Sequence, residues 1–370
     1  MTRTRGAPDG PGPALVSVVM PVRDEGAFIE RSLGAVLRQT YEPTALEIIV
    51  ADGMSTDGTR EIVERLRRER PLLRMVDNPR GIVATGLNRA IAAARGSVVV
   101  RVDGHCEVAP DYVAKCVAHL DGGEADGVGG PVETVGETPI AQAIAAAMSS
   151  PFGVGNSAFR TRKDLTAFVD TVPFPAYRRE VLERVGPYDE EFVRNQDDEY
   201  NYRLRSYGGR VLLARDVNSR YYSRATLRSL FRQYFQYGYW KVRVLQKHPR
   251  QMMPRQFVPA VALFGLVASV LAGLFSRWPL LLVLGAVSAY AIAALWAAAR
   301  ALRGRSKMLL PAVVAAFAVL HVSYGAGFWR GLAVFRARWR ARSPELQRSV
   351  SSWPSVPPSN NPQPVEENDA

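Results

Sequence analysis

An α/β domain on a mostly parallel sheet, followed by C-terminal transmembrane helices, is the fold class that this 370-residue sequence predicts. Three observations carry that expectation. Short apolar runs alternate with amphipathic stretches over the first 220 residues. Carboxylates recur just after successive apolar runs. Beyond residue 256 the chain turns strongly apolar, in segments of bilayer-crossing length.

Residues 15–20 are a Val-rich apolar run ended by Pro21 and a charged turn. Residues 25–38 have helical spacing of Phe28, Ile29, Leu33, Val36 and Leu37. A second apolar run covers 46–51, and 58–70 is helical by Ile62, Val63 and Leu66. Residues 72–76 read as a third strand, 81–95 as a helix and 97–102 as a fourth strand. This β-α-β-α rhythm predicts a parallel sheet with both faces covered. Ligands of such sheets bind beyond the carboxyl ends of the strands. Asp24 and Glu25 follow the first strand, Asp52 the second and Asp103 the fourth, so all are expected on one edge. One such Asp is ordinary turn chemistry; several at successive strand ends point to a polar ligand site.

The charge is divided along the chain. The net charge is +12, yet residues 217–344 contain no Asp or Glu and 19 Lys or Arg, so an acidic part precedes a basic one. Apolar segments interrupt the basic part and no nucleic-acid motif accompanies it, which favours membrane lipids over nucleic acid as its partner. Cys106 and Cys116 form neither a CxxC pair nor a disulfide framework, as in a reducing compartment. Residues 1–14 are polar and lack the apolar core of a signal peptide, so the first domain is expected in the cytoplasm. Residues 343–370 have a composition that predicts disorder.

Segments 257–275, 279–299 and 308–329 contain no acidic residue. The first two read as firm spans. The third carries His321, Ser323, Tyr324 and two glycines in its second half. It either crosses, enters and returns with Gly325 and Gly327 easing a bend, or lies in the interface. A full crossing would leave Arg330, Arg336, Arg338, Arg340 and Arg342 outside, against the positive-inside rule, so a cytoplasmic C-terminus is expected. The expected division is 1–14 (N-terminal tail), 15–223 (catalytic domain), 224–256 (amphipathic interface helix), 257–329 (transmembrane region) and 330–370 (basic juxtamembrane segment and tail).

Several motifs recur in an order similar to that of family 2 glycosyltransferases. Pro21-Val22-Arg23-Asp24-Glu25 resembles that family's opening motif. Asp52-Gly53-Met54-Ser55-Thr56-Asp57-Gly58-Thr59 resembles its Asp-Asp-Gly-Ser-Thr-Asp-Gly-Thr turn, with Gly53 and Met54 as departures. Arg101-Val102-Asp103-Gly104-His105 stands where the family has Asp-x-Asp. Asn195-Gln196-Asp197-Asp198-Glu199 resembles the family's Glu-Asp motif at a helix start, with Gln196 for the Glu. Within the family the likeness leans to the succinoglycan-type exopolysaccharide subgroup.

The resemblance implies a GT-A fold and an inverting hexosyltransferase at the inner membrane, with a nucleotide sugar, UDP-sugar above others, as donor. A lipid-linked saccharide or glycan is the implied acceptor. Pro21, Arg23, Glu25, Asp52, Arg80 and Asp103 are the implied donor-binding residues. Asp103 and His105 are the implied ligands of Mn²⁺ or Mg²⁺, since carboxylate oxygen suits both ions and imidazole suits Mn²⁺ better. His105 as a turn residue is the plainer reading. Asp197 is the implied general base; Asp198 and Glu199 better suit helix-start roles. Gln236-Tyr237-Gly238-Tyr239-Trp240 resembles the Gln-x-x-Arg-Trp motif of processive synthases without its Arg. Gln236 and Trp240 are therefore either acceptor contacts or part of an interfacial helix face. Two other functions fit the same motifs: a polyprenyl-phosphate sugar synthase, and a non-catalytic nucleotide-binding membrane protein.

Overall fold

The computed structural model describes residues 13–155 and 157–339. The tails expected to be disordered, but for residues 13 and 14, and the last arginines, Arg340 and Arg342, lie outside the described residues. The expected alternation is present as β1 (Val16–Val22), α1 (Ile29–Leu37), β2 (Leu46–Asp52), α2 (Thr59–Glu69), β3 (Leu73–Asp77), α3 (Val83–Ala93) and β4 (Val98–Arg101). There follow β5 (Cys106–Val108), α4 (Tyr112–Asp121), β6 (Gly127–Gly129), β7 (Val132–Val135), α5 (Pro139–Met148), α6 (Pro151–Val154) and α7 (Ala158–Thr161). The domain is completed by β8 (Ala167–Val169), β9 (Ala176–Arg178), α8 (Arg179–Val185), α9 (Gln196–Ser206), β10 (Val211–Leu213) and β11 (Ser219–Tyr222).

The main sheet has the order β3-β2-β1-β4-β9-β6-β10-β8, and β5-β11-β7 form a smaller one. β1 pairs in parallel with β2 on one side and β4 on the other. β9 runs antiparallel between β4 and β6, and β8 is antiparallel to β10. β1 and β2 are buried along their whole lengths, which is why they read as continuous apolar runs rather than alternating ones. The chain order reverses direction across β1 and β4, so their carboxyl ends open a crevice. Arg23, Glu25 and Asp103 leave the sheet there.

Beyond the sheets come α10 (Leu227–Lys247), α11 (Val258–Ala272), α12 (Arg277–Ala301) and α13 (Leu310–Val334). One expectation about this region needs correction, and one helix is shorter than expected. By length and composition the helices able to cross a membrane are Arg277–Ala301 and Lys307–Val334; α11 has only 15 residues. That is about 22 Å, short of a hydrocarbon core of about 30 Å. Nor does the third segment turn back: α13 is one continuous 25-residue helix. Its glycines admit neighbours instead of easing a bend. A Cβ on Gly327 would overlap the Phe235 carbonyl, and one on Gly238 the Tyr324 carbonyl. At Gly331 it would meet the Tyr239 carbonyl at 2.6 Å, and at Gly325 the Pro259 carbonyl at 2.7 Å.

Both ends of α13 are fastened to the sheet domain. Near its start, buried Val313, Ala316 and Phe317 share a core with Ala143, Ile144 and Ala147 of α5. Near its end, Gln246 donates to the Phe335 carbonyl at 2.9 Å, and Arg338 pairs with Glu191. α10 lies parallel beside it and is itself tied down at its far end, where the His248 ring meets Glu199 at 3.1 Å. α11 and α12 form a hairpin that crosses this pair and projects away. Phe264 stacks on Trp329, whose indole donates to the Ala260 carbonyl at 2.8 Å. The hairpin tip is the barest part of the fold, with Leu274 78% and Phe275 91% exposed.

The glycine contacts generate a paired expectation. Gly238→Ala and Gly327→Ala should each lower stability by about 1–3 kcal/mol through overpacking. Gly265→Ala, where a Cβ would meet nothing within 4 Å, should be neutral or mildly stabilising. Thermal midpoints in detergent check this; equal behaviour of the three variants would contradict the packing described.

Candidate active site

Two loops at the crevice are laced by short polar side chains. The Asp24 amide donates to Ser55 Oγ at 2.9 Å, the Glu25 amide to Thr59 Oγ1 at 2.8 Å and the Gly26 amide to Asp57 at 2.8 Å. In return Asp24 accepts from the Thr56 amide at 3.0 Å. This lacing is what the Ser-Thr-Asp-Gly-Thr turn supplies. Arg23 lies in a slot between two glycines, donating to the Gly81 carbonyl at 3.2 Å. A Cβ at Gly53 would press on the Arg23 Cβ at 2.9 Å, so glycine there makes room for the arginine.

Asp52 is fully buried. One carboxylate oxygen accepts from Arg60 at 2.7 Å and from the Ser55 amide at 3.1 Å. The other is buried without a partner, a costly state that a donor on a ligand would relieve.

At the end of β4, Arg101 grips Asp103 with two hydrogen bonds of 2.8 and 3.1 Å. Burial works against ionisation of Asp103, but the Arg101 charge and hydrogen bond prevail and hold its pKa below the usual value. The His105 ring meets Glu25 at 2.7 Å and lies edge-on to Tyr221. Burial disfavours the His105 imidazolium, yet the Glu25 hydrogen bond and neighbouring charge outweigh it and raise its pKa to about 9.

The first turn of α9 sorts its three acids. Asp198 pairs with Lys241 at 2.5 Å. Glu199 is fixed by Arg203 at 2.7 Å and by His248. Asp197 has no ion-pair partner among the described residues and faces the crevice. Burial, and then the Asp198 charge, raise its pKa above the usual aspartate value.

Asp103, His105 and Asp197 line one cavity of about 1410 Å³, together with Pro21, Arg23 and Glu25. The same cavity continues to Leu263, Leu266, Val283, Val287 and Tyr290, between α11, α12 and α13. Asp52 lies behind its wall. Three sequence candidates lie away from it. Arg80 points to the surface and pairs with Glu190 at 2.5 Å. Trp240 donates to Gln236 at 3.2 Å and packs on Phe335, one helical face round from the cavity. Gln233, Tyr234, Tyr237 and Lys241 hold the cavity face of α10 instead. Their i, i+4, i+8 spacing was the available signal. Arg160, Arg194 and Arg224 also reach the cavity and come from three separate segments without a motif to mark them.

The divalent cation implied by the resemblance has to be held by few protein groups. Among the described residues no three His, Cys, Asp or Glu side chains converge on one point. Asp103 is engaged by Arg101 and the His105 ring by Glu25, so a cation here would take most of its ligands from a diphosphate and water and would have to displace the proton that Glu25 keeps on His105.

Comparison with known proteins identifies the family and the fold. The family model described as glycosyl transferase family 2 matches residues 17–186. The chain is 33% identical over 329 residues to succinoglycan biosynthesis protein ExoA of Rhizobium meliloti (strain 1021), covering 87% of this chain and 96% of that protein. It is 23% identical over 268 residues to a dolichyl N-acetyl-alpha-D-glucosaminyl phosphate 3-beta-D-2,3-diacetamido-2,3-dideoxy-beta-D-glucuronosyltransferase of Methanococcus voltae, covering 70% and 82%. Among solved structures, mannosyltransferase PcManGT from Pyrobaculum calidifontis, in complex with GDP-Man and Mn²⁺, shares the fold. Its TM-score is 0.53 at 23% identity, with 88% of this chain and 89% of that one covered. The protein is thus a GT-A-fold enzyme that belongs to glycosyl transferase family 2.

Proposed function

We propose that this glycosyltransferase moves a hexose, with inversion, from a nucleotide sugar to a lipid-linked saccharide at the cytoplasmic face of the inner membrane, in exopolysaccharide or cell-envelope glycan synthesis. One observation carries the reading. A single cavity begins at Asp103 and Asp197 and runs on between α11, α12 and α13. A water-borne donor and a membrane-held acceptor therefore reach the same carboxylate. The relatives lend support. One is named for succinoglycan biosynthesis, another for a dolichyl-phosphate-linked sugar, and the solved mannosyltransferase holds GDP-Man and Mn²⁺.

The unpartnered Asp52 oxygen suits an N–H of the nucleotide base. Asp103 and His105 would hold Mn²⁺ or Mg²⁺, which when bound offsets charge on the departing nucleoside diphosphate. Asp197 accepts the proton of the acceptor hydroxyl as that oxygen bonds to the anomeric carbon. The bond to the diphosphate oxygen breaks on the opposite face, so the configuration inverts. Free of an ion pair, Asp197 is available for this role in a way that Asp198 and Glu199 are not.

The helices suggest how the enzyme sits. α13 is long and apolar enough to cross a bilayer, but both its ends are anchored to the catalytic domain, so with α10 it would form a floor lying in the interface rather than a third crossing. The α11–α12 hairpin then enters the bilayer. A floor sunk about 5–10 Å into the headgroup boundary lets the short α11 bring the tip near the far side. Arg277 and Trp278 at the tip suit that interface. Arg330, Arg336 and Arg338 stay on the side of the catalytic domain, which satisfies the positive-inside rule.

Asp197→Asn should keep donor affinity and lose transfer by about 10²–10⁴-fold or more; near-normal turnover would remove Asp197 from the mechanism. Because its pKa is raised, activity should fall with acidification at a higher pH than an ordinary aspartate would give. Asp198→Asn removes the neighbouring negative charge and frees the Lys241 ammonium, so the acid limb of kcat/KM should move to lower pH. EDTA should abolish transfer and Mn²⁺ restore it at least as well as Mg²⁺, with His105→Asp shifting the preference toward Mg²⁺; EDTA-resistant transfer would contradict the metal role. In intact cells lacking the native cysteines, Ser276→Cys should react with an impermeant thiol reagent and Arg336→Cys only after lysis. Labelling of Arg336→Cys without lysis would establish a third crossing.

A further inference from the structure

Arg160, Arg194 and Arg224 line the cavity that holds both the donor crevice and the apolar stretch. Every other cation on the cavity wall has a carboxylate: Arg23 has Asp24, Arg101 has Asp103, Lys241 has Asp198 and Arg255 has Asp170. Among the described residues, these three have none within 4 Å. Arg160 donates only to Thr134 Oγ1, at 3.2 Å, and stacks beside Tyr221 with its guanidinium 5.3 Å from the ring centre. All three are half-buried, where an unpaired cation is costly.

They share neighbours. Arg160 and Arg224 act electrostatically on Tyr221, and Arg160 and Arg194 on Tyr237. Gln233 donates to both tyrosine hydroxyl oxygens at 3.1 Å. Each hydroxyl therefore keeps its own proton to give. Three guanidiniums and two O–H groups thus line one cavity with no carboxylate within 4 Å of the guanidiniums among the described residues, a set of donors suited to an anion. On the transferase reading the donor's diphosphate would lie by Asp103 and His105, which the cluster adjoins: Arg194 acts electrostatically on Asp103, and Glu25 on Arg224. On the far side of the cluster, Phe152 and His321 lead into the hairpin, the His321 ring lying 2.9 Å from both the Phe152 carbonyl and the Tyr290 hydroxyl.

Resting on the transferase reading above, we propose that Arg160, Arg194 and Arg224, with the Tyr221 and Tyr237 hydroxyls, bind the phosphate or diphosphate that joins the acceptor's saccharide to its lipid. The hydrocarbon would lie between α11, α12 and α13. The saccharide hydroxyl would then face Asp197, three residues along the chain from Arg194. This makes the enzyme selective for an anionic linkage rather than for the sugar alone.

The test is equilibrium binding to the full-length protein in detergent, with UDP or GDP and Mn²⁺ at saturation. The probes are farnesyl diphosphate, farnesol and inorganic pyrophosphate. Farnesyl diphosphate should bind with nucleotide present and more tightly than either single-feature probe, which separates a lipid-borne from a free diphosphate. Arg160→Gln/Arg224→Gln should weaken farnesyl diphosphate by about 10- to 100-fold, while farnesol and nucleotide affinities hold and report an intact fold. Arg160→Lys/Arg224→Lys should recover part of the loss. If saturating nucleotide expels farnesyl diphosphate, or the Gln variant weakens nucleotide equally, the cluster belongs to the donor. The proposal then fails while the transferase reading stands. Failure of the unmodified protein to bind any nucleotide would overturn both.

Discussion

The close approach of α10 and α13 sets the geometry of the membrane side of this enzyme. Gly238, Gly327 and Gly331 let the two backbones meet where any side chain would hold them apart. α10 continues directly from the sheet domain and carries Tyr234, Tyr237 and Lys241 toward the cavity. α13 lies against α5 and α6, so the core of the soluble domain and that of the membrane helices are continuous. The hairpin is built on this pair. Separate the two helices and the polar crevice no longer opens onto an apolar one.

On the other side the site is organised by charge. The chain answers one carboxylate after another with a cation: Asp103 with Arg101, Asp198 with Lys241, Glu199 with Arg203. Two groups escape this pattern. Asp197 has no cation of its own, and Arg160, Arg194 and Arg224 have no acid. A buried carboxylate without a cation binds a proton more strongly, which suits a base that must take one from a hydroxyl. Unpaired guanidiniums draw in an anion. The two exceptions lie in one cavity, and together they describe an acceptor that is anionic at one point and deprotonated at another.

The parallel half of the sheet was legible in the sequence because β1 and β2 are buried on both faces and their runs are apolar but for Ser17 and Glu47, which hydrogen-bond to each other. The strand-end acids were legible because a parallel sheet brings its carboxyl ends together whatever the loops do. The rest depended on partners distant in sequence. Arg80 is drawn to the surface by Glu190, which lies 110 residues further on. Trp240 and Gln236 match the spacing of the processive-synthase motif, but the rotation of α10 about its axis is fixed by α13, and it turns Tyr237 and Lys241 inward instead. Gly325 and Gly327 read as a bend in the sequence, whereas each admits a neighbouring backbone that is distant in sequence. The arginine cluster is assembled from the short α7 and two loops, each carrying an unremarkable Arg.

The central claim is that this cavity joins a nucleotide-sugar site to a lipid-borne acceptor and that Asp197 performs the transfer. The most direct measurement supplies purified full-length enzyme with a panel of radiolabelled nucleotide sugars and membrane lipid extract, then partitions the products between organic and aqueous phases. The account requires label from one donor to enter the organic phase, and Asp197→Asn to leave that phase unlabelled. Label confined to the water phase as free sugar, or lipid labelling that survives Asp197→Asn, would contradict it.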